Sequence, residues 1–63
     1  MNNYLIVFIK DDQETSRLHC LGETALHALE SSIDNGYMIH EPCEALIRNE
    51  NNGLTIKFEV GIT

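Results

Sequence analysis

The chain is poor in positive charge. Only four of its 63 residues are Lys or Arg, and these four (Lys10, Arg17, Arg48 and Lys57) are scattered along it. Direct binding of nucleic acid rests on clustered Lys and Arg set against phosphate, so the scatter argues against it. No apolar run approaches the roughly 20 residues of a membrane-spanning helix. The longest, Tyr4-Leu5-Ile6-Val7-Phe8-Ile9, has no basic residue before it and is followed at once by Lys10-Asp11-Asp12. It therefore does not read as a secretory signal, and the expected location is the cytoplasm of a host cell. There the two cysteines stay reduced. The four glycines are isolated, which leaves no phosphate-cradling loop.

Catalytic and metal signatures are also missing. No motif sets a base or an oxyanion donor beside Cys20 or Cys43. A chain of 63 residues has little room for a pocket, and no enzyme activity or cofactor is expected. Among His19, Cys20, His40 and Cys43, only His40-x-x-Cys43 has a tolerable ligand spacing. Neighbours such as His19 and Cys20 point to opposite faces of a strand. Buried small cysteines and surface histidines are the plainer reading, and no metal is expected.

What the chain has in quantity is acid. Ten Asp and Glu against four bases give a formal net charge of −6. Such an excess favours solubility and steers a protein toward cationic partners. A hydrophobic content of 43% places the chain among globular sequences rather than disordered ones. Its length fits one small domain, 1–63, that folds marginally alone or leans on a partner.

One long helical pattern runs from Gly22 to Gly36. Leu26, Leu29 and Ile33 fall at i, i+3 and i+7, a single apolar stripe. Thr24 or Gly22 suits the start. Glu23 suits the positive end of the helix dipole, and Asn35-Gly36 suits the stop. The remainder reads as strand and turn. Tyr4–Ile9 is apolar at every position, which fits a strand shielded on both faces or a central strand with one face held by a partner. One helix covers only one face of a sheet. The second face of this strand is thus either a homodimer or partner surface, or simply half exposed. Lys10–Thr15 is polar and turn-like. Arg17–Leu21 offers Leu18 and Cys20 on one side and Arg17 and His19 on the other, as a short return strand or an irregular loop. Met38–His40 is ambiguous. Cys43–Arg48 reads as a strand, Asn49–Gly53 as a turn, and Leu54–Val60 as a strand with Leu54, Ile56, Phe58 and Val60 inward. The expected class is α+β: one helix on an antiparallel sheet of three or four strands.

The acids form groups. At about 100° per residue, Glu30, Glu23 and Asp34 follow the apolar stripe around the helix, with His27 in the same arc. Asp11, Asp12 and Glu14 gather in the first turn, and Glu41 and Glu44 flank Pro42. Any one group reads as a solvated face. Several groups with almost no interleaved base also fit a row of anionic oxygens offered to Arg and Lys, as a phosphate backbone offers them. The candidate partner-binding residues are Glu23, Glu30 and Asp34, with Asp11, Asp12 and Glu14 as a second group.

In length, acidity and the order carried by Tyr4–Ile9, Gly22–Gly36, Cys43–Arg48 and Leu54–Val60, the chain resembles small acidic proteins that phages and mobile elements encode against host defence. These include anti-CRISPR proteins and other DNA mimics. The resemblance implies binding to the basic nucleic-acid channel of a CRISPR effector and exclusion of its target DNA. It carries no site residue of its own. A second resemblance is borne by Gly22-Glu23-Thr24-Ala25-Leu26-His27-Ala28-Leu29-Glu30 after a hairpin. This stretch is similar to the helix start of small antitoxins of the HicB type. That likeness implies a toxin-binding or other protein-binding module, although the segments around the helix are shortened and no DNA-binding arm is present.

Overall fold

A computed structural model describes residues 1–61. It contains, in order, β1 (Asn2–Lys10), β2 (Gln13–Gly22), α1 (Ala25–Asp34), β3 (Cys43–Asn49) and β4 (Thr55–Val60). The strands form one four-stranded sheet in the order β2-β1-β3-β4, antiparallel throughout. One helix lies on one face, so the expected α+β arrangement is the observed one. Two layers account for the shortest dimension of 15 Å and leave the other sheet face without a cover.

The apolar run Tyr4–Ile9 lies in a central strand, between β2 and β3. Tyr4, Ile6 and Phe8 are buried beneath the helix side, together with Ala45 and Ile47 of β3. Leu5, Val7 and Ile9 point the other way and are half-buried. Among the described residues no second layer covers them. By register Leu5 lies between His19 and Arg48, Val7 between Arg17 and Leu46, and Ile9 between Glu14 and Glu44. The stems of such long neighbours shade an apolar residue while their heads stay in water.

The return strand is longer than Arg17–Leu21. It begins at Gln13, because the turn needs only Asp11 and Asp12, both with positive φ (53° and 62°). That is the backbone of a two-residue hairpin whose twist matches its strands. The register then shifts. Phe8 pairs with Ser16 but Ile9 pairs with Glu14, so Thr15 is an extra residue in the ladder. The Thr15 hydroxyl donates to the Phe8 carbonyl at 3.2 Å, which ties down this bulge.

Helix α1 starts and stops where its sequence signals lie. Thr24 is the N-cap, and its hydroxyl accepts the backbone N–H of His27 at 3.1 Å. At the far end the Gly36 N–H bonds the Ile33 carbonyl (3.0 Å) and the Tyr37 N–H bonds the Ser32 carbonyl (3.1 Å). With Gly36 at φ 103° this is a Schellman ending. It turns the chain so that the Tyr37 ring stacks on Phe8, with centroids 4.6 Å apart. The Tyr37 hydroxyl reaches the Ser16 hydroxyl across the same face. Met38–His40 is not a strand.

The core stripe differs from Leu26, Leu29 and Ile33. The buried residues of α1 are Ala25, Ala28, Leu29 and Ser32, while Ile33 is half-buried and Leu26 is 48% exposed. The helix is turned so that its small residues meet the sheet. A Cβ on Gly22 of β2 would lie 2.8 Å from the Ala28 nitrogen, so the approach is too close for a larger residue at position 22. Buried Ser32 donates its hydroxyl to the Leu29 carbonyl at 2.7 Å, which satisfies it without a partner on the sheet. The helix packs chiefly on β2, with lesser contact to β1 and β3. Strand β4 is left at the margin. Its inward residues Phe58 and Val60 are half-buried and buried, but Ile56 is 50% exposed, and Leu54 lies before the strand at 67%.

Candidate functional site

The hairpins sort the charges to opposite sides. In a paired sheet, residues across the ladder share a face. Arg17, Arg48 and Lys57 therefore all lie on the open face, with His19 beside them. This face also carries Glu14, Glu44 and Glu59, and the two signs are largely matched. Arg17 Nε bonds Glu14 Oε2 at 2.7 Å, and Lys57 Nζ lies 3.0 Å from Glu44 Oε2. The bulge at Thr15 makes the first pair possible, because the extra residue brings positions 14 and 17 to one face. His19 Nδ1 is 3.7 Å from Glu50 Oε1. Lys10, the remaining base, pairs with Glu41.

These contacts shift titration as charge pairing should. The hydrogen bond from Arg17 lowers the Glu14 carboxyl below its ordinary value, and the bond from Lys10 does the same for Glu41. The bond to Glu44 raises the Lys57 ammonium.

The helix side is different. Residues 25–34 contain no Lys or Arg, and none stands in the last turn. Glu30 and Asp34 are exposed, one turn or about 6 Å apart along the axis. Both project away from the buried Ala25–Ser32 line, with Leu26 and Ile33 between them and the core. They thus occupy the outer helix surface rather than an edge beside the core. Glu23 is exposed and stands one residue before the cap, outside the first helical turn. Its backbone N–H donates to His27 Nδ1 at 3.4 Å. Among the described residues, no ion pair joins Glu23, Glu30 or Asp34.

The second acidic group does not hold together as one site. Asp11 and Asp12 form the hairpin tip, exposed and without an ion pair among the described residues. Glu14 has passed into β2, on the open face, and is bonded to Arg17. Asp11 instead shares an open cleft of about 450 Å³ with Lys10, Glu44, Glu59 and Val60 at the same end of the sheet.

The thiols and imidazoles are spread out. Cys20 stands opposite Tyr4, and Cys43 lies one residue beyond the Ile9–Glu44 pair. That separates them by about six residues, or roughly 20 Å, along the strands. His40 and Cys43 line a cleft beside Phe8 and Tyr37, away from His19 and Cys20. No group of three or more His, Cys, Asp or Glu side chains is placed to hold a metal among the described residues. No helix there is long and apolar enough to cross a membrane.

Sequence reasoning missed the exposure of Leu26 on the helix and of Leu54 and Ile56 beside β4. The signal for Leu26 was the small-residue line Ala25, Ala28 and Ser32, which marks the side of a helix that approaches a sheet closely.

No family model, no curated protein and no solved structure matches this chain.

Proposed function

We propose that this protein is an acidic binding module whose outer helix surface occupies the nucleic-acid-binding surface of a partner protein. The observation that carries this reading is the one-sided charge. Every Lys and Arg lies on a strand, while Glu23, Glu30 and Asp34 face outward without a pairing cation among the described residues. Unpaired carboxylates on a rigid element are pre-set for Arg and Lys, and a partner's cations lose less entropy against a fixed row than against loops. The partner class is a complex with a basic nucleic-acid channel, and an RNA-guided defence effector is the case to test first. In this role the protein is an inhibitor and not an enzyme.

The test is competition. Purified RNA-guided effector complexes are mixed with labelled target DNA and rising amounts of the protein. Loss of DNA binding that weakens steeply between 50 and 200 mM salt, on the order of tenfold or more, supports the reading. Tight binding to an effector that is indifferent to salt supports apolar docking of the antitoxin-like kind. The exposed Leu26, Leu54 and Ile56 favour that second reading. No effect on any effector or other basic nucleic-acid-binding complex removes the DNA-mimic reading.

A further inference from the structure

Among the described residues strand β4 is an open edge, bonded only to β3. Natural edges are guarded by proline, by charged side chains such as Lys, by inward-pointing charge or by a covering element. On its helix-side face β4 has Ile56, Phe58 and Val60, with neither proline nor charge among them. Its other face alternates Thr55, Lys57 and Glu59. The exposed apolar side chains Leu54 and Ile56 lie at this margin and line one cleft.

The strand is complementary to itself in one antiparallel register. Placing Phe58 opposite Phe58 of a second copy sets Ile56 opposite Val60, and sets Lys57 opposite Glu59. Apolar residues then meet on the helix side and opposite charges meet on the open side, with the Ile56–Val60 and Lys57–Glu59 pairs each occurring twice. A shift of two residues either way loses this match. Centring on Lys57 puts like charge on like charge, and centring on Glu59 does the same.

We propose that the protein forms a homodimer by antiparallel pairing of β4 with β4, centred on Phe58, to give one continuous eight-stranded sheet. The two-fold axis of such a pair runs perpendicular to the sheet, so both helices lie on the same face. Each copy's Ile56 then lies against Val60 of the other copy rather than water. The two sets of Glu23, Glu30 and Asp34 share one side of the assembly. The inference does not depend on the proposed function, since it concerns the protein alone.

The test is sedimentation equilibrium from micromolar to millimolar protein with the wild type and two variants. The wild type is expected to dimerise. Lys57→Glu replaces two attractive cross-copy pairs by repulsive ones and should weaken the dimer by about tenfold or more. The swap Lys57→Glu with Glu59→Lys should restore it. The swap also keeps an opposite charge for Glu44, which lies across from Glu59 in the ladder, so the fold is spared. A wild type that stays monomeric throughout overturns the proposal. So does a dimer that Lys57→Glu leaves unchanged, which would place the contact away from β4, or one that the swap fails to restore while circular dichroism shows a native fold.

Discussion

Asp12 holds a left-handed backbone at φ 62°, next to Asp11 at 53°. A two-residue turn of this kind prefers glycine at its second position, and aspartate tolerates the conformation only because its short side chain can bond locally. Asp12→Gly should therefore raise stability by about 0.5–1 kcal/mol, seen as a higher urea midpoint at unchanged slope. Asp12→Asn separates backbone relief from lost charge, and an equal gain in both variants would assign the effect to charge. Acid stability is also decided at single residues. Glu14 and Glu41 are held below the ordinary carboxylate value of 4.5 by Arg17 and Lys10. A depressed carboxyl contributes stability that is present above that value and lost as pH falls through its folded-state value. The pairs are exposed, so the effect is small. Thermal unfolding of a Glu14→Gln, Glu41→Gln variant should lose less on going from about pH 5 to about pH 3 than the wild type does. A steeper loss would contradict the pairing.

At the scale of elements, the helix shows where pattern alone misleads. Its boundaries were legible, because Thr24, Asn35 and Gly36 are local signals whose chemistry does not depend on the rest of the fold. Its rotation was not. Leu26, Leu29 and Ile33 make a plausible stripe by spacing, but the close approach of Ala28 to Gly22 turns the smaller residues inward and leaves Leu26 half in water. That contact is tertiary, and nothing within the helix sequence fixes it. The same holds for β4, whose alternation was clear although one short helix cannot reach across four strands to cover it. Two variants measure the rotation. Leu29→Ala should cost about 2–4 kcal/mol, since it empties a buried site. Leu26→Gln should cost less than about 1 kcal/mol in the monomer. Chemical denaturation at low concentration reads both, and a larger loss at Leu26 would restore the stripe expected from spacing.

At the scale of the whole molecule, the hairpin registers decide what the charge can do. The net charge of −6 was plain from composition, but composition does not say which acids keep a partner. The registers carry Arg17, Arg48 and Lys57 to the open face, where Glu14 and Glu44 meet two of them. The candidate group Asp11, Asp12 and Glu14 is thereby divided, because the bulge at Thr15 commits Glu14 to Arg17. The group Glu23, Glu30 and Asp34 stays unpaired among the described residues, since no strand brings a cation to the outer side of the helix. The central claim is that this helix surface is the working one. Its most direct test is the DNA-competition assay with Glu30→Lys, Asp34→Lys protein, checked by circular dichroism for a native fold. The account predicts that inhibition of DNA binding is abolished, while Asp11→Lys, Asp12→Lys protein retains most of it. Full inhibition by the Glu30→Lys, Asp34→Lys variant would contradict the account.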